Sequence, residues 1–198
     1  VLLEPWAGQM INIHPSLLPA YKGLHTHERV LADGATEHGC TVHLVTAELD
    51  AGPIIAKVSR PIGVNETSSE VEHHLARLGA RALVEAVDAL ANGGAIETPQ
   101  DDSRATYAPK IAKSDGIVDW SKPASAIHNQ IRGLYPWPHA FTDLEGERII
   151  LLRSEVEPDP ADRPAAPGAI LDTRGDRFRI QTGDGVLRLL VLQREGRR

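Results

Sequence analysis

Cysteine is almost missing from this chain, with Cys40 the only one in 198 residues. A lone thiol excludes an internal disulfide and fits a reducing cytoplasm. No run approaches the roughly 18 apolar residues that a membrane-spanning helix needs, so no membrane partner is expected. The opening Val1-Leu2-Leu3-Glu4-Pro5 has no basic segment ahead of its apolar residues, and no secretory signal is expected there. The chain also starts without Met and almost at once enters a candidate catalytic strand, so it is expected to be a domain cut at its N-terminus. No internal repeat is visible.

What is present describes a globular protein: 41% apolar and 24% charged residues exclude a disordered chain. The net charge of −6 is uneven. Residues 1–103 carry 6 Lys+Arg against 14 Asp+Glu, a balance of −8, and residues 104–198 carry 15 against 13, a balance of +2. Arg188, Arg194, Arg197 and Arg198 near the end are candidate phosphate contacts. A balance of +2 is nevertheless far from that of a basic nucleic-acid domain and suits a solvated mixed-charge surface equally well.

The most informative segment is Asn12-Ile13-His14-Pro15-Ser16-Leu17-Leu18-Pro19, answered by Glu48-Leu49-Asp50-Ala51-Gly52. Met10-Ile11-Asn12-Ile13-His14 alternates apolar and polar and reads as the end of a strand. Residues two apart on a strand share a face, which sends Asn12 and His14 into one space. Pro15 ends the ladder, and Ser16 to Pro19 forms a stiff exit turn that leaves His14 at the strand's C-terminal edge, where open α/β sheets build sites. An amide donor, an imidazole and a carboxylate, with no metal-ligand spacing around them, suit acyl transfer without a covalent intermediate.

Asn-x-His-Pro-Ser-Leu-Leu-Pro followed by Leu-Asp-x-Gly resembles the signature of the folate-dependent formyltransferases. The separation fits too: Asp50 lies 36 positions beyond His14, room for a helix and a strand. The resemblance implies 10-formyltetrahydrofolate as the formyl donor and no metal. It maps the catalytic trio onto Asn12, His14 and Asp50. It also implies that the Leu49–Pro53 loop, with Leu49, Ala51 and Gly52, lines the pteridine pocket. Ser16, Leu17, Leu18 and Pro19 are secondary cofactor-binding candidates, scaffold before chemistry.

Along the chain, Thr26–Asp33 predicts a short helix with Thr26 as N-cap and Gly34 as its stop. Thr41–Thr46 and Ile54–Ile62 read as strands. Thr67 with Glu70 forms a capping box for a long helix ending near Gly93-Gly94, its apolar stripe being Val71, Leu75, Leu78, Ala82, Val87 and Leu90. This order is that of an α/β chain, the C-terminal half of a doubly wound Rossmann-like sheet missing its first strands. Residues 1–95 are therefore expected to be a catalytic domain and 96–104 a polar linker. Residues 105–198 are expected to form a second domain: a helix over Ala124–Leu134, then strands at His139–Leu144, Arg148–Ser154, Ala169–Asp172, Arg177–Thr182 and Val186–Gln193. A Glu145-Gly146 turn and the Pro-rich loop Glu157–Gly168 break up these strands, and short strands between Gly turns suggest a small OB-like β-barrel.

That second region resembles the C-terminal domain of the methionyl-tRNA formyltransferases. The likeness rests on Ala105-Thr106-Tyr107-Ala108-Pro109-Lys110, Asp119-Trp120-Ser121, Asn129-Gln130-Ile131-Arg132, Pro136-Trp137-Pro138 and the closing Leu192–Arg198. It implies an OB-like barrel that holds the acceptor arm of initiator methionyl-tRNA. Trp137, between two prolines, reads as a packing plug rather than a base-stacking platform. The stretches Tyr21–Glu28 and Glu37–His43 instead resemble glycinamide ribonucleotide formyltransferase, and related C-terminal domains occur in nucleotide amino-sugar formyltransferases. The acceptor is thus methionyl-tRNA, with glycinamide ribonucleotide or an amino-sugar nucleotide as alternatives. Two readings of other classes compete: a zinc hydrolase using His25, His27, His43 and Cys40, and a non-catalytic RNA-binding fragment. The first is weakened because His25 and His27 straddle a helix start. His73, His74 and His128 fall on predicted helices and read as surface or core fillers.

Overall fold

The computed structural model describes residues 4–158, 165–175 and 177–196. Residues 159–164 of the Pro-rich loop, and Arg197 and Arg198, lie outside them. The chain divides into two compact units. One comprises Val1–Val30, Ala35–Gly63 and Glu70–Lys110, the other Leu31–Gly34, Val64–Ser69 and Ile111–Arg198.

The first sequence elements are β1 (Ile11–His14), β2 (Lys22–Gly23), α1 (Thr26–Ala32), β3 (Glu37–Leu44), β4 (Ile54–Pro61), α2 (Ser68–Ala91) and β5 (Tyr107–Ala108). A three-stranded sheet has the order β1-β3-β4, and both of its pairings are antiparallel. The parallel pairing that defines a doubly wound sheet is therefore not found in this sheet among the described residues. The reason is the short α1: seven residues, roughly 10 Å of helix, turn the chain round at the end where β1 stops. A parallel neighbour needs a crossover that runs back along the strand.

Helix α2 covers this sheet. Val42 packs with Ala82 and Ala86, flanked by Ile11, Ile13, Ala56 and Val58, and Val71 and Leu75 are buried nearer the start of the helix. Val87, expected in the stripe, is 47% exposed and Ala86 takes its place. With 3.6 residues per turn the buried line runs 75, 79, 82, 86. Gly79 lies on it because a Cβ there would come within 2.6 Å of Ile13 Cδ1.

The expected linker is anchored within the first unit. Thr98 exchanges two backbone hydrogen bonds with Ile54, both 2.8 Å, and Thr106 accepts from the Lys22 N–H at 2.9 Å. Tyr107 and Ala108 form β5, which pairs in parallel with β2. Backbone donors and acceptors in this segment find partners on β2 and β4 of the same unit, which runs on to Lys110.

The second unit contains α3 (Ala124–Gly133), β6 (Ala140–Leu144), β7 (Glu147–Glu157), β8 (Ile170–Asp172), β9 (Phe178–Gln181) and β10 (Val186–Arg194). These strands form an antiparallel sheet in the order β6-β7-β10-β9-β8. Among the described residues no ladder joins β8 to β6. Glu145 and Gly146, both at positive φ (55° and 83°), close the β6–β7 hairpin in the conformation whose twist matches paired strands. Ile127 and Ile131 of α3 pack into a core with Leu151, Ile180, Leu187 and Leu189. Of the arginines expected to face phosphates, the two that are described meet carboxylates of β7: Arg188 with Glu155 at 3.8 Å, and Arg194 with Glu147.

Ile131 is 1% exposed, and Ile131→Ala is expected to lower unfolding stability by about 2–5 kcal/mol, read as the shift in urea midpoint. In the first unit, buried His38 sits with Nε2 3.0 Å from His27 Nδ1. Burial, then His27 and His14, push its pKa down to about 3. The unfolded chain protonates this ring below about 6.5, so its contribution to stability is full above that pH and drains away as pH falls toward 3. By linkage, the loss from this ring between pH 7 and pH 5 is about 2 kcal/mol, and His38→Gln is expected to flatten the pH dependence of the denaturation midpoint over that interval.

Candidate active site

The site starts from strand register. In the β1–β3 ladder Asn12 lies opposite His43 and His14 opposite Thr41, so the alternation of the pleat turns Asn12, His14 and His43 to one face. Asn12 Nδ2 donates to His43 Nε2 at 3.2 Å, while His43 Nδ1 donates to the Leu44 carbonyl at 2.8 Å. That pair of bonds requires a neutral His43, and burial lowers its pKa in keeping with them. The amide of Asn12 is thereby fixed in orientation by a ring that cannot readily take up charge.

His14 is 3% exposed and held at both ring nitrogens. Nε2 donates to the Tyr21 carbonyl at 2.8 Å, and Nδ1 faces Asp50 Oδ2 at 3.4 Å. Asp50 Oδ2 also accepts from the Gly23 N–H at 2.9 Å, and Oδ1 lies 3.9 Å from His43 Nε2. One carboxylate thus faces the two histidines and a backbone donor. The structure brings Asn12, His14 and Asp50 together, with His43 as the bridge between Asn12 and Asp50.

Backbone conformation around this cluster is unusual. Tyr21, His25 and Asp50 all have positive φ, at 57°, 56° and 49°. Such conformations cost on the order of 1 kcal/mol or more for a non-glycine residue, and they concentrate at functional sites. Gly52 explains itself sterically: a Cβ would fall 1.8 Å from the Leu44 carbonyl oxygen, so only glycine lets the Asp50 loop lie this close to β3.

The secondary candidates separate into two kinds. Ser16 and Leu18 are both 0% exposed and brace the exit turn. Ser16 Oγ donates to Ala20 O at 2.6 Å, the Leu18 N–H donates to Thr41 Oγ1, and Thr41 Oγ1 donates to Ser16 O. Leu17 and Pro19 are half-buried on the same turn. On the opposite loop Leu49 is 62% exposed and Ala51 half-buried.

Five groups at the site escaped sequence reading as members of the catalytic cluster. His43 enters the sequence reading as a strand residue and a candidate zinc ligand but not beside Asn12, and Gly23 and Tyr21 contribute backbone atoms that carry no side-chain signal. Gln100, in the supposed linker, donates through Nε2 to both the Asp50 and Gly52 carbonyls at 2.8 Å. Buried Lys22 bonds Asp102 Oδ1 at 3.2 Å and adds a cation near His43.

The drawn zinc set does not assemble. His27 bonds His38, Cys40 Sγ points to the Leu75 carbonyl, and His25 contacts Glu28. Among the described residues no three His, Cys, Asp or Glu side chains are grouped to hold a metal ion.

Comparison with known proteins places the chain in a family. Residues 1–87 match the family model "Formyl transferase" and residues 110–198 match "Formyl transferase, C-terminal domain". A methionyl-tRNA formyltransferase of Heliobacterium modesticaldum is 44% identical over 93% of this chain and 60% of its own length. One from Solibacter usitatus is 42% identical over 96% of this chain and, again, 60% of its own length. The chain therefore spans about three fifths of these relatives. The fold is similar to that of an N-formyltransferase from Helicobacter canadensis solved with folinic acid and dTDP-3-aminofucose. The TM-score is 0.76 at 21% identity, covering 94% of this chain and 66% of that one. With both halves matched in the order the two models require, and relatives this similar along nearly all its length, the chain belongs to the formyltransferase family.

Proposed function

We propose that this chain carries the reaction centre of an enzyme that moves a formyl group from 10-formyltetrahydrofolate to a primary amine, the amino group of methionyl-tRNA. The observation that carries the reaction is the convergence of His14, and of Asn12 through His43, on the Asp50 carboxylate. The relatives named methionyl-tRNA formyltransferase support the acceptor.

The chemistry follows from the groups. The amine nitrogen attacks the formyl carbon and a C–N bond forms, leaving a tetrahedral centre with a negative oxygen. Asn12, its amide oriented by neutral His43, donates to that oxygen; such a preorganised donor is typically worth about 3 kcal/mol. The bond from the formyl carbon to the folate N10 then breaks. N10 gains a proton from His14 Nε2, whose hydrogen rests on the Tyr21 carbonyl in the free protein. Asp50 balances the charge on the ring at Nδ1 and takes up, through water, the proton that the amine loses. The Leu49–Pro53 loop lines the pteridine pocket.

On this reading residues 1–95 are the catalytic part of a doubly wound sheet, and residues 105–198 are an OB-like barrel holding the acceptor arm of the tRNA. The five-stranded antiparallel order of the second unit and the fold likeness support that division. A single, buried thiol suits a reducing cytoplasm, where the reaction is placed.

Asn12→Ala, His14→Ala and Asp50→Ala are each expected to lower formyl transfer by about 100-fold or more while far-UV circular dichroism stays unchanged. Undiminished turnover in His14→Ala rejects the assignment. Offered methionyl-tRNA, glycinamide ribonucleotide and an amino-sugar nucleotide in parallel with the formyl donor, the protein is expected to turn over the first. Preference for either small acceptor overturns the acceptor while leaving the reaction intact.

A further inference from the structure

Asp50 is the pivot of the site: the Gly23 N–H holds its carboxylate, and its backbone sits at φ 49°. Left-handed backbone is tolerable for Asp but not preferred, and a loop free to relax would swing the carboxylate away from His14. The restraint comes from the segment between the two family regions. Gln100 Nε2 donates one hydrogen to the Asp50 carbonyl and the other to the Gly52 carbonyl, both at 2.8 Å. Those carbonyls flank Ala51, so a single amide spans the turn and sets its curvature.

Gln100 is itself held. Two residues before it, the reciprocal Thr98–Ile54 bonds tie the chain to the first residue of β4. Two residues after it, Asp102 accepts from buried Lys22. The amide also has one workable orientation. A flip would turn Oε1 against two carbonyl oxygens, and Oε1 as it stands has no hydrogen-bond partner among the described residues. Both amide hydrogens of Gln100 are thereby committed to the Asp50 turn.

We infer that Gln100 is a positioning residue for formyl transfer, acting by clamping the Leu49–Pro53 turn so that the Asp50 carboxylate stays on His14. It touches neither reacting group; its effect passes wholly through Asp50. The inference rests on the proposed role of Asp50, and it separates from that role by experiment.

The variants are Gln100→Met, Gln100→Glu, Asp50→Asn and the double variant Gln100→Met/Asp50→Asn, with kcat and KM measured in the folate-dependent assay. Gln100→Met, close in size but without the donors, is expected to lower kcat about 10- to 100-fold with KM for the acceptor changed little. In the Asp50→Asn background the same substitution is expected to cost almost nothing further, because the group it positions is already gone. Gln100→Glu regains a donor only when protonated, so its turnover relative to wild type is expected to rise as pH falls. This second variant also decides the matter if Gln100→Met does not fold. A wild-type kcat in Gln100→Met, an equal loss in both backgrounds, or a Gln100→Glu ratio independent of pH overturns the inference. If Asp50→Asn itself retains full turnover, the proposed catalytic role of Asp50 fails first.

Discussion

The site depends on where one carboxylate is held. Asp50 accepts from the Gly23 N–H, faces His14 Nδ1 and lies near His43 Nε2. Hydrogen bonds to an ionised group contribute about 1.5–3 kcal/mol each, enough to offset the left-handed backbone that carries it. Without that carboxylate the exit turn, the β1–β3 register and the close-lying Gly52 would share no common purpose. With it, three segments distant in sequence are drawn to one point: the β1 exit, the β3–β4 loop and the chain around Gln100.

Around that point the histidines are sorted by environment. His43 is buried, and its two hydrogen bonds demand a neutral ring. His38 and His27 are paired with each other, and burial lowers both. His14 differs because its Nδ1 looks at a carboxylate rather than at a donor or an apolar wall. These four imidazoles thus divide into three rings that burial keeps toward the neutral form and one, His14, whose Nδ1 faces a carboxylate, and the division follows from partners rather than from residue type.

The second unit follows a different logic. Its sheet is pinned by a tight hairpin at Glu145-Gly146 and by α3 laid over Leu151, Leu187 and Leu189. Several of its arginines meet carboxylates across the sheet, Arg188 with Glu155 on the adjacent strand at 3.8 Å and Arg179 with Glu157 two strands away at 2.7 Å. The Arg-rich composition of residues 104–198 therefore records ladder pairing on the sheet as much as any surface for a polyanion, and charge alone is a poor guide to the acceptor here.

Much of this protein was legible from local pattern. Alternation over Met10–His14, the Asn12/His14 spacing, the Gly34 and Gly93 stops, the Glu145-Gly146 turn and the α3 stripe all depend on neighbours within a few residues, and the structure reproduces them. One expectation that reaches further changed, Ala86 rather than Val87 facing the core, and the antiparallel direction of the three described strands of the first unit came only with the structure. The short helix and the exact helical phase, which local hydropathy does not encode, decided those points. Gln100, His43, Gly23 and the Tyr21 carbonyl could come only from tertiary structure. Sequence by itself determined which chemical groups are present and which of them share a strand face, because a strand's period is local. Only the folded chain decided what orients them, because a hydrogen bond between Gln100 and Asp50 joins residues whose proximity no local pattern specifies.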